Sequence, residues 1–286
     1  SLAGMVITLP HIGIETIADI PQMLRGFFIL LKAFLRSPAK KFVLLVHLAE
    51  DSENKVNLFA EGLLGLFLSA AQEYPSVQFR SLEIDSKTDL RAALHGALDR
   101  RCPIVEMIHR EGRLLTSEAQ IAPVVFGASP SLNMNPGDVV VISGGATGIS
   151  ALLARSLAPF MPRLVFQGRT VLEHGSGSET SAVGRRRAEI ARTLADLRYV
   201  GIEASYHSCD VSDPEAVRRV MGAVVSRYGR IDGIIHGAGL LRDGLLCHMP
   251  PDEFSPVIDV KFLGAWNLFS AAEQSGLRFF VALSSA

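Results

Sequence analysis

The stretch Val139-Val-Val-Ile-Ser-Gly-Gly-Ala-Thr-Gly148 decides how the chain is read. An unbroken apolar run of this length predicts a short strand covered on both faces. The glycines after Ser143 predict a tight turn, and a helix is expected to open near Gly148. Glycine lets the backbone turn sharply and lets an anion approach the main chain. The helix N-terminus adds unpaired N–H groups and a partial positive charge. Ser143, Gly144, Gly145, Thr147, Gly148 and Ile149 are therefore the candidate phosphate-binding residues. A lone glycine-rich turn is weak evidence; its place between a strand and a helix is what gives it weight.

Working outward, the runs Val139–Ile142, Leu164–Phe166, Ala204–Tyr206, Ile231–Ile235 and Phe279–Leu283 alternate with helical patterns, such as Ile190, Leu194 and Leu197. Short apolar strands alternating with amphipathic helices predict a doubly wound parallel sheet. The first half follows the same α/β scheme. Strands are expected at Phe42–Leu48, Val77–Ile84 and Pro103–Ile108, helices at Leu24–Leu35, Asn57–Tyr74 and Thr88–Asp99, and a hairpin at Glu111-Gly112. No glycine fingerprint occurs there. With Gly127–Pro136 as linker, the reading is two Rossmann-like subdomains: a structural one over residues 1–130 that binds no nucleotide, and a dinucleotide-binding one over residues 131–286.

Composition bounds the function. A formal net charge of −1 argues against nucleic-acid binding driven by a basic surface. Cys102, Cys209 and Cys247 are scattered without metal spacing, so no metal site is expected and a reducing, cytoplasmic setting fits. Leu24–Leu35 is too short to span a bilayer, and no membrane association is expected. Arg185-Arg186-Arg187 reads as a solvated helix face, Gly175-Ser-Gly-Ser178 as a flexible loop, and Trp266 as a packing residue.

The second strand of the glycine-turn half bears on the cofactor. NAD-preferring folds carry a carboxylate near this strand end for the adenosine ribose. Here Gly168-Arg169 stands instead, and a guanidinium pairs well with the 2′-phosphate of NADPH. Asp210 and Val211 follow the third strand, where a carboxylate can accept the adenine amino group. The fourth strand ends in His236-Gly237-Ala238-Gly239, whose small residues leave room for the nicotinamide side.

Taken together, these markers resemble the short-chain dehydrogenase/reductase superfamily, and within it the ketoreductase domain of a type I polyketide or polyunsaturated-fatty-acid synthase. To the segments already quoted are added Val260-Lys261-Phe-Leu-Gly-Ala-Trp-Asn-Leu268 and Leu283-Ser-Ser285, in family order. The first half fits too, since Glu61–Pro75 resembles the structural subdomain of such modules. Gly168-Arg169-Thr170 and the insert after it resemble the enediyne or fatty-acid branch of iterative synthases. Ser150 departs from the pattern, standing where its last glycine falls.

The resemblance implies NADPH-dependent reduction of a β-ketoacyl thioester, presented on the phosphopantetheine arm of an acyl carrier protein amid neighbouring synthase domains. It implies Lys261 and Ser285 as catalytic residues, with Lys261 also on the cofactor ribose. Leu241-Arg242-Asp243 matches a stereochemical motif, and Asp243 implies the (3R) product. The family's proton-donating tyrosine falls beyond Ala286, so a truncated fragment, inactive alone, is the expectation. A free-standing alcohol dehydrogenase of the superfamily and a non-catalytic dinucleotide-binding scaffold are the alternatives.

Overall fold

The computed structural model describes residues 4–9, 14–38, 41–49, 57–99, 102–118, 120, 134–172 and 181–284. The chain divides into two compact units, one of Ser1–Val125 with Arg242–Ser255 and one of Phe126–Leu241 with Pro256–Ala286. Ser285, the Gly175–Ser178 loop and most of the expected linker lie outside the described residues.

In the first unit, strands β1 (Gly4–Leu9), β2 (Phe42–Leu48), β3 (Gln78–Ile84), β4 (Glu106–Arg110) and β5 (Arg113–Leu115) form one sheet in that order. The first four are parallel and β5 is antiparallel to β4. Glu111 at φ 50° and Gly112 at φ 73° form the predicted two-residue hairpin turn. Helix α1 (Ile20–Leu35) buries Ile20, Leu24, Phe27, Phe28, Leu31 and Phe34 at helical spacing, as its apolar periodicity requires. Helix α2 (Leu58–Glu73) is capped by Asn57, whose side chain accepts from the Ala60 N–H, and α3 (Leu90–Ala97) by Asp89. Phe67 of α2 links the ring of Phe27, 5.9 Å away, to that of Phe79 in β3 at 5.6 Å.

Arg242–Ser255 clusters with this unit rather than with the residues flanking it in sequence. The cause is local anchoring. Leu246 N–H donates to the Glu73 carboxylate at 2.7 Å, Lys32 Nζ donates to the Met249 carbonyl, and Phe254 stacks on Phe28 at 4.3 Å.

In the second unit, strands β6 (Val139–Ser143), β7 (Arg163–Gly168), β8 (Ala204–Ser208), β9 (Gly233–His236) and β10 (Phe279–Ala282) form a parallel sheet in the order β10-β9-β6-β7-β8. Helices α4 (Gly148–Leu157), α5 (Ala182–Tyr199), α6 (Pro214–Tyr228) and α8 (Gly264–Ala272) belong to this unit, while α7 (Pro251–Ile258) begins in the first unit and ends in this one. Strand alternation divides β6 between two cores. Val140 and Ile142 pack with Ala154, Phe166, Ile190 and Leu194, while Val139 and Val141 pack with Val217, Met221 and Leu268. A sheet covered on both faces explains the continuous apolar run Val139–Ile142.

The start of β6 is tied down by charge. Asp232 and Asp138 are buried; Asp232 accepts from the Val139 N–H at 2.9 Å and pairs with Arg278 at 3.3 Å and with Arg230. Arg278 also pairs with Asp138. The opposite end of β6 is where connections diverge, to β7 on one side and β9 on the other. Such a switch point opens a crevice at the carboxyl ends of the strands.

Candidate functional site

Ser143 ends β6 opposite Gln167 of β7 and His236 of β9. The turn that follows is held by backbone bonds, with Gly145 N–H donating to the Gln167 carbonyl at 2.7 Å and Gly237 N–H to the Ser143 carbonyl at 3.2 Å. Gly144 has φ 101°, and a Cβ there would lie 2.6 Å from the Gly237 carbonyl oxygen. Only glycine fits so close a backbone approach.

Gly148 begins α4 at φ 54°, and a Cβ on it would meet nothing within 4 Å. Thr147 takes the N-cap position, but its side chain makes no cap hydrogen bond. An anion already uses the helix end: Glu189 of α5 accepts from the Gly148 N–H at 3.1 Å. This carboxylate shows that the turn can receive a negative oxygen, as a helix N-terminus does. Ile149 is 67% exposed beside it.

Ser150, the departure from the glycine pattern, is accommodated. It is buried, and its hydroxyl donates to the Ser143 carbonyl at 3.3 Å. A Cβ on Gly237 would lie 2.8 Å from that hydroxyl, so Gly237 supplies the close approach between turn and strand.

Gly168 and Arg169 follow at the end of β7. Arg169 is exposed, and among the described residues it makes no ion pair or hydrogen bond. Asp210 spends one carboxylate oxygen on the N–H and hydroxyl of Ser212, at 3.0 and 2.7 Å. Asp213 caps α6, accepting from the N–H groups of Glu215 and Ala216. The Val211 side chain enters the core, and its carbonyl accepts from Asn267 Nδ2 at 3.0 Å. Asn267, which the sequence reading did not single out, thus ties the corner after β8 to α8.

His236 is buried in a complete hydrogen-bond chain. Ala238 N–H donates to Ser143 Oγ at 3.3 Å, Ser143 Oγ lies 2.8 Å from His236 Nδ1, and His236 Nε2 lies 3.2 Å from the Lys261 carbonyl. The carbonyl can only accept, which places the ring proton on Nε2 and makes Nδ1 the acceptor for the serine hydroxyl. Burial pushes the His236 pKa down, against the opposing pull of the Lys261 and Val260 carbonyls. The ring is a neutral strut between β6, β9 and the segment bearing Lys261.

Lys261 lies on a π-helical turn, Asp259–Leu263, that interrupts the helix between α7 and α8. A π turn inserts one residue and rotates the side chains around it. The Lys261 side chain is directed past Gly239, where a Cβ would stand 3.9 Å from its Cε. Trp266 packs 6.0 Å from Phe269, in keeping with a packing role. The Cys209 thiol is pushed up to about 11, first by burial and then by Asp210, so it stays protonated and unreactive.

The second unit therefore brings together the turn, Gly168-Arg169, Asp210-Val211, His236–Gly239 and Lys261. Asp243 is exposed within the segment that clusters with the first unit. Among the described residues, no His/Cys/Asp/Glu group is arranged to hold a metal ion, and no helix is long and apolar enough to cross a membrane.

Comparison with known proteins matches this geometry. The chain is 25% identical over 245 residues to polyketide synthase PksN of Bacillus subtilis, covering 84% of this chain and 4% of that protein. It is 27% identical over 231 residues to the phenolphthiocerol synthesis polyketide synthase type I Pks15/1 of Mycobacterium marinum, covering 75% of this chain and 10% of that protein. The chain thus spans a small part of these relatives' length. Among solved structures, a ketoreductase domain from the bacillaene assembly line superposes with a TM-score of 0.79 at 23% identity, over 99% of this chain and 69% of that one. An N-terminal ketoreductase from the macrolactin assembly line gives 0.72 at 21% identity, over 99% of this chain and 56% of that one. The KR domain model matches residues 138–286, over half of the sequence, from just before the strand that carries the glycine turn, and the chain belongs to that family of ketoreductases.

Proposed function

We propose that this chain forms the cofactor-binding part of an NADPH-dependent reductase acting on a β-ketoacyl thioester, carried by the phosphopantetheine arm of an acyl carrier protein within a larger synthase. The observation that carries the cofactor assignment is Arg169, exposed and unpaired among the described residues, one residue beyond Gly168 at the end of β7. A guanidinium in that place suits a ribose 2′-phosphate, and it stands where NAD-preferring folds carry a carboxylate for the ribose hydroxyls. The glycine turn supports the same reading, because Gly148 offers open space and an N–H that already takes a carboxylate oxygen.

When bound, NADPH would supply hydride to the β-carbon. The pyrophosphate would be held by the N–H groups of Gly148 and Ile149, with Asp210 toward the adenine and Gly237–Gly239 leaving room for the nicotinamide. Lys261 would hold the nicotinamide ribose and lend positive charge to the alkoxide side of the site. That charge would favour ionisation of the proton-donating tyrosine that the resemblance implies. Ser285 would hydrogen-bond the developing alkoxide, and Asp243 would bias the outcome toward the (3R)-hydroxyacyl product.

Fluorescence titration of the chain with NADPH and NADH tests the cofactor assignment. NADPH binds more tightly, and Arg169→Asp removes the preference; equal losses for both cofactors would exclude a 2′-phosphate contact. For the reaction, the synthase containing this chain is assayed with a β-ketoacyl thioester. Cofactor oxidation accompanied by a hydroxyacyl product is expected, and chiral analysis of that product reads the stereochemistry. Turnover of simple alcohols with none of the thioester would instead mark a free-standing type of dehydrogenase.

A further inference from the structure

Tyr206, in the middle of β8, has a role that packing does not explain. It pairs in register with Phe166 of β7 and packs on the same core as that ring. For that purpose phenylalanine would serve. Its hydroxyl, however, reaches the underside of the glycine turn. A Cβ on Gly168 would lie 2.8 Å from Tyr206 Oη, 3.0 Å from Gly145 Cα and 3.2 Å from Gly145 N. The phenol oxygen, the turn and the residue before Arg169 thus converge on one small volume. The hydroxyl is buried, with Thr170 as a polar neighbour, yet among the described residues no partner meets it in full hydrogen-bond geometry. A buried hydroxyl without a well-aligned partner is costly to keep.

We infer that the Tyr206 hydroxyl is a second ligand, beside Arg169, for the 2′-phosphate group of the adenosine ribose, and so a determinant of NADPH over NADH. The inference rests on the NADPH reading above. Chemically the group is suited to it. Burial pushes the phenol pKa up, with Thr170 and the Arg186 guanidinium opposing, so the oxygen keeps its proton and can donate to a phosphate oxygen. Arg186 opens α5 on the same side, and the next residue, Arg187, donates from Nε to the Val171 carbonyl at 2.8 Å. The arginine run is thereby held next to the segment that follows Arg169, adding positive charge where the 2′-phosphate would enter. Ribose hydroxyls without the phosphate give the phenol no anion to donate to. The contact therefore discriminates rather than merely binds.

The test uses Tyr206→Phe in the full chain, titrated with NADPH, NADH, adenosine 2′,5′-bisphosphate and adenosine 5′-monophosphate. A hydrogen bond to a charged group predicts about tenfold weaker binding of the two 2′-phosphorylated ligands, with the other two unchanged. Equal losses across all four would mean that Tyr206 only supports the turn, and no loss would remove it from the site; either result overturns the inference. Arg169→Asp is measured in parallel. If that variant loses the NADPH preference while Tyr206→Phe keeps it, the inference fails and the NADPH reading stands. If the wild-type chain shows no preference, the NADPH reading itself fails. As a second readout, 3-fluorotyrosine at position 206 shifts its fluorine resonance on addition of the bisphosphate but not of the monophosphate. The same shift with both, or with neither, counts against the contact.

Discussion

Two glycines of the same turn respond oppositely to alanine, and the difference can be worked out before any measurement. At Gly144, φ is 101° and the new methyl would fall 2.6 and 2.7 Å from the carbonyl oxygen and carbon of Gly237 and 3.0 Å from Ala238 N. None of these atoms belongs to a flexible side chain. They are backbone, continuing β9 and bonded back to Ser143. A non-glycine residue at such a φ costs about 1–2 kcal/mol, and forcing a methyl against fixed atoms adds about 1–3 kcal/mol. Gly144→Ala is therefore expected to destabilise the second unit by about 2–5 kcal/mol, a large part of the about 5–15 kcal/mol typical of a domain. At Gly148, φ is 54° but the methyl meets nothing within 4 Å, so only the backbone term of about 1 kcal/mol applies. That methyl would instead project into the space where the proposed pyrophosphate lies, weakening NADPH by about tenfold on the scale of one lost charge-assisted hydrogen bond. Urea unfolding reads the first effect, because the single tryptophan, Trp266, lies in α8 of the same unit. Cofactor titration reads the second. Comparable stability losses in the two variants, or a Gly144→Ala loss below about 1 kcal/mol, would refute this account of the turn.

Three further perturbations follow from the site. Glu189→Gln removes a carboxylate that must yield the Gly148 N–H to a phosphate, so NADPH binding tightens by about two- to fivefold at low salt and less at high salt; weaker binding would make Glu189 a cofactor ligand instead. Asp232→Ala removes the acceptor of the buried Val139 N–H and one of the two carboxylates paired with Arg278, which keeps Asp138, and the unfolding free energy falls by about 1–3 kcal/mol; a change within about 0.5 kcal/mol would mean that Asp232 contributes nothing. For His236 the folded pKa lies below its ordinary value because of burial, so the unfolded chain binds the proton first as pH falls. Stability attributable to His236 is therefore present above about pH 6.5, declines as the pH drops below that, and stops declining beneath the folded pKa. His47 and His207, also lowered by burial, contribute slopes of the same sign, so the His236 share is the difference between wild type and His236→Asn in urea unfolding at several pH values. Parallel curves would show that the fold leaves the His236 pKa unshifted, and a difference of opposite sign that the ring is held protonated.

Local backbone demands are what the sequence displays most directly. β6 could be read because both faces of the strand are covered, leaving no position for a polar residue until Ser143. The Glu111-Gly112 hairpin and α1 were visible for equally local reasons. β1 was missed: its sequence, Gly4-Met-Val-Ile-Thr-Leu9, becomes a strand by pairing with β2, and no turn signal marks it. The π turn at Lys261 was out of reach for a related reason, since a helical pattern cannot reveal which carbonyl each N–H will choose. Arg242–Ser255 looked continuous with the second half because its anchors, Lys32, Glu73 and Phe28, are far away in sequence.

The same division runs through the site. Gly144 and Gly148 could be recognised because the shape of a turn is written in the residues that make it. Glu189 and Tyr206 could not, although both act on that turn, because they reach it from α5 and β8. Ser150 joins the two cases. As a break in the glycine pattern it threatened the helix–strand contact, yet its hydroxyl takes the Ser143 carbonyl while Gly237 gives up the space. The close approach has moved to the facing strand. A motif residue is thus replaceable when its neighbour can take over its backbone task, as Gly237 does where Ser150 stands in place of a glycine.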